Sequence, residues 1–278
     1  MTRKVAVITG GNRGDRAGNG SPARPALVTL PTISKAGALR PRRIWEASMG
    51  QFTTIVMSDG ATVEAYRAQP TTARRGGLVL LQEIFGLTDH IQEQCEKFAA
   101  SGYEVLAPAI FDRVAPSLRL SYDAAGLEKA ISLVRAHPFE LGIADAASCV
   151  EELRHAGPVF MLGYCYGGSI AWASAGRLDG LSAAVCYYGG KLPTLASEAP
   201  LCPTLVHLGR DDREIPMRPT RDALEQHSAV EVLTYPAGHG FNSDRRADFD
   251  QQCSDLAFRE TLRFLEKQGI QRPSAKGE

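Results

Sequence analysis

The chain lacks an excess of charge of either sign: 31 basic side chains face 31 acidic ones among 278 residues. A nucleic-acid or anionic-membrane binder carries a basic surplus, so neither partner is expected. No apolar run approaches the roughly 20 residues of a membrane-spanning helix. The basic N-terminus is followed by no apolar stretch of the kind a secretory signal needs. Cysteine is sparse and unpaired in pattern. Its six positions, 95, 149, 165, 186, 202 and 253, contain no C-x-x-C and no metal-ligand spacing. Reduced thiols in a cytoplasmic protein are the expectation, with no metal and no cofactor.

Apolar residues are not lacking. The hydrophobic fraction of 44% and the length suit one α/β domain with a substantial core. The first 48 residues depart from this. GGNRGDRAGNGSPARP is nearly devoid of apolar side chains and cannot offset its chain entropy by burial. Ahead of it, RKVAVITGGNRG resembles the opening strand and glycine turn of short-chain dehydrogenases. A dinucleotide fingerprint requires a helix directly after its glycines. Asp15, Gly18, Gly20, Pro22 and Pro25 stand there instead. Residues 1–48 are therefore expected to be disordered or a misassigned leader, with Met49 as the alternative start. The domain is expected over 49–270, and a flexible tail over 271–278.

From Phe52 the patterning becomes regular. FTTIVM and ATVEAYRA flank the turn signal Ser58-Asp59-Gly60. Continuous apolar runs follow at GLVLLQ (77–82), YEVLAP (103–108), PVFMLG (158–163), LSAAVCYYG (181–189), PTLVHLG (203–209) and VEVLTY (230–235). Such runs suit strands buried on both faces. Helical patterns lie between them at 88–101, 123–136, 143–155, 167–176 and 217–227, with a long one at 247–268. The alternation predicts a mostly parallel, doubly wound sheet with helices on both faces. Active sites in such sheets lie beyond the carboxyl ends of the strands.

One of those ends carries Gly163-Tyr164-Cys165-Tyr166-Gly167, between an apolar strand and a helix of small residues. This is the setting of a nucleophile elbow, where the turn lifts the central side chain above the sheet. The helix N-terminus points its positive end at the sulfur and favours thiolate. A thiol nucleophile needs a base, and the base needs an orienting carboxylate. Both follow in the chain order of α/β-hydrolases: Asp211 or Asp212 in GRDDREIP (209–216), then His239 in PAGHGF (236–241). His207 falls inside a strand and reads as a core residue. His90, His137, His155 and His227 fall on helices or their ends and read as solvated.

QEIFGL (82–87), GYCYGG (163–168), GRDDREIP and YPAGHGF (235–241), in this order, resemble the dienelactone hydrolases (carboxymethylenebutenolidases), an α/β-hydrolase family. The resemblance runs from about residue 52 to 267 and implies a Cys–His–Asp triad of Cys165, His239 and one aspartate. The family's aspartate stands three residues after the glycine and four before the proline, which selects Asp212. The resemblance places Glu83 beside the resting thiol as a proton acceptor. It implies an oxyanion hole from the backbone N–H groups of Ile84 and Tyr166. Tyr122, Tyr188 and Phe241 are candidates for shaping the pocket. Family members hold a substrate carboxylate with arginines, one of them four residues after the histidine. Here that position is Ser243, with Arg245 and Arg246 nearby, and Arg113 and Arg119 occupy the segment 111–122 where a second anchor belongs. These arginines are more often solvated charges than ligand anchors.

A thiolate suits activated esters and lactones better than amides, whose poor leaving group must be protonated. The expected function is carboxylic ester or lactone cleavage by a monomer or small homo-oligomer. The alternatives are a broad small-ester esterase without dienelactone activity, a nucleotide-dependent oxidoreductase, and a non-catalytic hydrolase-fold binding module. An intact triad argues against the last.

Overall fold

The computed structural model describes residues 50–270; the TGGNRG segment, the 1–48 leader and the 271–278 tail lie outside the described residues. Eight strands form one sheet: β1 (Gln51–Val56), β2 (Thr62–Ala68), β3 (Gly76–Leu81), β4 (Tyr103–Pro108), β5 (Val159–Tyr164), β6 (Ala183–Tyr187), β7 (Thr204–Gly209) and β8 (Val230–Tyr235). Their order is β1-β2-β4-β3-β5-β6-β7-β8. β1 and β2 pair as an antiparallel hairpin, and β2 joins β4 antiparallel. From β4 to β8 every neighbouring pair is parallel.

Burial explains the sequence pattern. Every residue of β3, β5, β6 and β7 is buried, as continuous apolar runs predict for strands covered on both faces. Edge strand β1 keeps an alternating profile, with Ile55 inward and Phe52 and Val56 outward.

Among the described residues, seven α-helices connect and cover the sheet: α1 (Asp89–Ala100), α2 (Ala124–Ala136), α3 (Phe139–Leu153), α4 (Tyr166–Arg177), α5 (Leu192–Leu195), α6 (Met217–Leu224) and α7 (Gln251–Ile270). α1 and α7 meet through Phe98 and Phe258, whose ring centres are 5.1 Å apart. Gly142 of α3 lies against Ile170 of α4, and a Cβ there would meet its Cδ1 at 2.8 Å. Two helix starts differ from the expected ones for local reasons, and one short helix was not expected. α3 starts four residues before the expected position, directly after Pro138, whose fixed φ of −62° suits a helix entry. α7 starts later, where the Asp250 side chain accepts from the N–H of Cys253 at 2.8 Å as an N-cap. The four-residue α5 follows β6 in a segment whose sequence shows no helical period. Among the described residues, no helix is long and apolar enough to cross a membrane.

Candidate active site

The loops that carry chemistry leave the carboxyl ends of β3, β5, β7 and β8. β5 enters the elbow at Tyr164, and α4 begins at Tyr166. Between them Cys165 adopts φ 52°, ψ −112°, a backbone conformation that L side chains avoid. Such a residue stores about 1–3 kcal/mol and persists only where its surroundings enforce it. Here the Cys165 N–H donates to the Tyr187 carbonyl at 3.0 Å, and the Cys165 carbonyl accepts from Ser169 N–H at 3.0 Å. Gly163 and Gly167 make the turn possible. A Cβ on Gly163 would overlap the Gly167 carbonyl, and one on Gly167 would overlap the carbonyls of Leu81 and Gln82. The Gly167 N–H donates to the Gln82 carbonyl at 3.0 Å, which fastens the elbow to the end of β3. Gln82, Glu83 and Ile84 thereby stand next to the cysteine.

The loop after β7 supplies Asp212, whose Oδ1 accepts from the N–H groups of Glu214 and Ile215 at 2.8 and 3.1 Å. Its Oδ2 is 2.8 Å from His239 Nδ1. His239 Nε2 is in turn 3.1 Å from Cys165 Sγ. The three residues come from three strand ends, and Cys165 and His239 are only 7% and 3% exposed. The thiol thus faces His239. Asp211 is exposed, and its backbone N–H donates to the Ala237 carbonyl at 3.0 Å.

His239 is pulled two ways. Burial lowers its basicity, but the Cys165 sulfur and the Asp212 carboxylate outweigh that and raise its pKa from 6.5 to about 10. A raised pKa means the fold binds this proton more tightly than the unfolded chain. The stabilisation is complete below about pH 6.5 and is lost as pH rises through about 10. Asp212→Asn keeps the loop acceptor but removes the charge. Its deficit in urea midpoint against the wild type is expected to narrow between pH 7 and 10.5. A constant deficit would mean that the folded imidazole is neutral throughout.

Residues 63–269 match the model of the dienelactone hydrolase family. The chain belongs to that family. It is 32% identical to carboxymethylenebutenolidase 1 of Cupriavidus pinatubonensis, over 76% of this chain and 94% of that protein. It is 30% identical to the carboxymethylenebutenolidase of Pseudomonas putida, over 74% and 92%. A crystal structure of a putative dienelactone hydrolase from Klebsiella pneumoniae superimposes with a TM-score of 0.68 at 29% identity, covering 78% of this chain and 97% of that one. An esterase of Pyrococcus furiosus, 13% identical with a TM-score of 0.59, shares the α/β-hydrolase fold.

Against the family pattern, the remaining candidates divide. Glu83 is completely buried at the end of β3. Its Oε2 accepts from the Tyr122 hydroxyl at 3.3 Å, and its Oε1 is 3.5 Å from Arg246 Nη1. Its polar contacts are thus with Tyr122 and Arg246, while the thiol's is with His239. Tyr122 is held by Thr88 Oγ1 at 3.0 Å and by a tilted ring contact with Phe85, at 4.3 Å between centres. Tyr188 is fully buried at φ 37°, and its ring packs edge-on against His239 at 5.2 Å. Phe241 has no exposed surface and lies behind Tyr188, 5.3 Å away, so it is core and not a pocket wall. Arg113 is also corrected. It is taken up by Asp145 at 2.5 Å and Asp59 at 2.7 Å, which leaves it no free donor face for a ligand. Arg119 binds Glu64 at 3.0 Å.

Arg246 is the residue the sequence undervalued. It is largely buried, and successive turns (Ser243 N–H to Gly240 carbonyl, Arg246 N–H to Ser243 carbonyl) fold it back toward the site. Gly240, at φ 79°, leaves the space its side chain crosses, since a Cβ there would sit 2.6 Å from Arg246 Cδ. Glu83 and Glu214 flank its guanidinium at 3.5 and 3.8 Å. Two histidines read as solvated are buried instead: His90, 3.4 Å from Asp244, and His137, whose Nδ1 is 3.3 Å from the Tyr166 hydroxyl. His207 is a core residue, held by the Tyr235 hydroxyl at 2.8 Å and pushed by burial to a pKa of about 3.

Proposed function

We propose that this family member cleaves small carboxylic esters and lactones through a covalent Cys165 intermediate, with His239 as proton carrier and Asp212 as its orienting carboxylate. The carrying observation is the unbroken Asp212–His239–Cys165 chain of 2.8 and 3.1 Å contacts, ending on a strained elbow. The sulfur attacks the carbonyl carbon, and the oxygen gains negative charge. The N–H of Tyr166 opens α4 and has no acceptor within its own helix. Together with the N–H of Ile84 it forms the oxyanion hole, supported by the bond that ties the elbow to β3. The imidazolium then protonates the departing oxygen, which in a lactone stays tethered to the acyl group. Water, deprotonated by the now neutral His239, releases the acid and restores the thiol. Glu83 tunes the electrostatics of this site through Tyr122 and Arg246.

The relatives' names point to dienelactone as substrate. A neutral ester is favoured here, because Ser243 replaces the anchoring arginine and Arg246 is already flanked by two carboxylates. All six cysteines are free and buried, which supports a reducing compartment such as the cytoplasm.

Acid-quenching the enzyme during p-nitrophenyl acetate turnover and mapping peptides by mass should place the acetyl group on Cys165. A label elsewhere, or none when the wild-type enzyme is quenched within its pre-steady-state burst, would reject the covalent route. The ratio of dienelactone to p-nitrophenyl acetate turnover then decides between the lactone and the neutral-ester reading. His239→Ala is expected to lower kcat/KM about 10²–10⁴-fold. Asp212→Asn should cost less than His239→Ala, since the imidazole retains a partner.

A further inference from the structure

Glu214 has no task in the reaction above, yet it faces the reacting atoms. It stands on the loop after β7 with its side chain 56% exposed, and its Oε2 is 3.5 Å from His239 Nε2. Cys165 Sγ, His239 Nε2 and a Glu214 carboxylate oxygen all lie within 4.8 Å of one another. A thiolate, an imidazole nitrogen and a carboxylate oxygen with a fourth position open are a zinc-type donor set. With metal–sulfur and metal–nitrogen or –oxygen bonds of about 2.3 and 2.0–2.1 Å, tetrahedral neighbours stand roughly 3.3–3.6 Å apart. The observed Sγ–Nε2 and Nε2–Oε2 separations are 3.1 and 3.5 Å, so small side-chain adjustments suffice. The far nitrogen of the same ring is already bonded to Asp212, the outer carboxylate that orients a metal-bound histidine. Arg246 does not block the site. If Glu214 turns to the metal, Glu83 still balances the guanidinium at 3.5 Å.

We propose that Cys165, His239 and Glu214 form a three-ligand site for a zinc-class divalent cation, which binds reversibly and silences the hydrolase. The proton shared by sulfur and imidazole leaves to solvent, and a water completes the fourth position. Thiolate and carboxylate together neutralise the ion. The inhibition rests on the nucleophile reading; the binding does not. The other cluster of this type among the described residues, His90, Glu93 and Asp244, is already served: Arg245 bridges both carboxylates at 2.8 and 2.5 Å, where a cation would sit.

The test is a titration of the full-length protein with Co²⁺ alone, then Zn²⁺ alone, beside Zn²⁺ inhibition of p-nitrophenyl acetate hydrolysis. Co²⁺ should produce a thiolate-to-metal absorption band in the near ultraviolet. Cys165→Ala should abolish it, Zn²⁺ should displace it, and EDTA should restore activity. Mg²⁺ should do nothing. Glu214→Gln should keep ester hydrolysis within about threefold, as expected for an exposed charge. Its Zn²⁺ inhibition constant should rise at least about tenfold. Absence of the cobalt band overturns the proposal. So does a Glu214→Gln enzyme as zinc-sensitive as the wild type, because the ion would then be captured by the thiol alone. A cobalt band that requires Cys165 in a protein without ester hydrolysis would leave the metal site standing and remove the catalytic reading.

Discussion

Cys165→Ala is expected to lower kcat/KM for p-nitrophenyl acetate by about 10⁴-fold or more. Loss of a nucleophile removes the covalent route itself, and the remaining members of a triad cannot compensate, because they act as a unit. What remains is binding and any oxyanion stabilisation by the backbone of α4. The fold should survive, since alanine leaves the two backbone bonds of residue 165 in place and removes only the sulfur of a residue that is buried. The urea midpoint therefore separates a chemical defect from a folding defect. A variant with wild-type stability and wild-type turnover would show that the sulfur is structural. A second check uses the wild type: one equivalent of iodoacetamide should abolish turnover and label Cys165 before the other cysteines. Cys95, Cys149 and Cys186 have no exposed surface and should react only on unfolding.

Gly163→Ala should have the largest effect on stability. The added Cβ collides with backbone, the Gly167 carbonyl and the Gly168 N, and not with a flexible side chain that can step aside. Relief requires the elbow to open. That would break the Gly167–Gln82 bond and displace α4 from β3 and β5. Overpacking of a rigid interior typically costs about 1–3 kcal/mol, and a backbone collision belongs at or above the upper end. We expect a loss of at least about 3 kcal/mol in urea unfolding, or insoluble protein. Gly60→Ala is the control. Nothing lies within 4 Å of its added Cβ, so only its φ of 85° is penalised. Equal losses at the two positions would mean that backbone conformation, and not the crowding of the elbow, makes glycine necessary.

Much of the architecture was legible because its signals are local. β4 and β8 run over 103–108 and 230–235, as their apolar runs predict. The elbow was legible because a strand, two spaced glycines and a small-residue helix are contiguous. Helix starts set by capping were less so: Pro138 and Asp250 fix α3 and α7, while hydrophobic period alone places them elsewhere. Histidine exposure was misread for a similar reason. His90 and His137 sit at helix ends, which are exposed when isolated and buried here because Asp244 and Tyr166 arrive from distant segments.

By itself the sequence determined the eight strands and the glycine-flanked turn at Cys165, because each depends on neighbours a few residues apart; the choice of Asp212 over Asp211 came from the family resemblance. Only the tertiary structure decided which charges meet. Arg246 reaches Glu83 across 163 positions of chain, and Cys165 meets His239 across 74. Those distances follow from strand order and from the turns after Gly240. A shift of one residue in such a loop redirects a side chain by several ångströms, and that direction is fixed by packing and not by spacing along the chain.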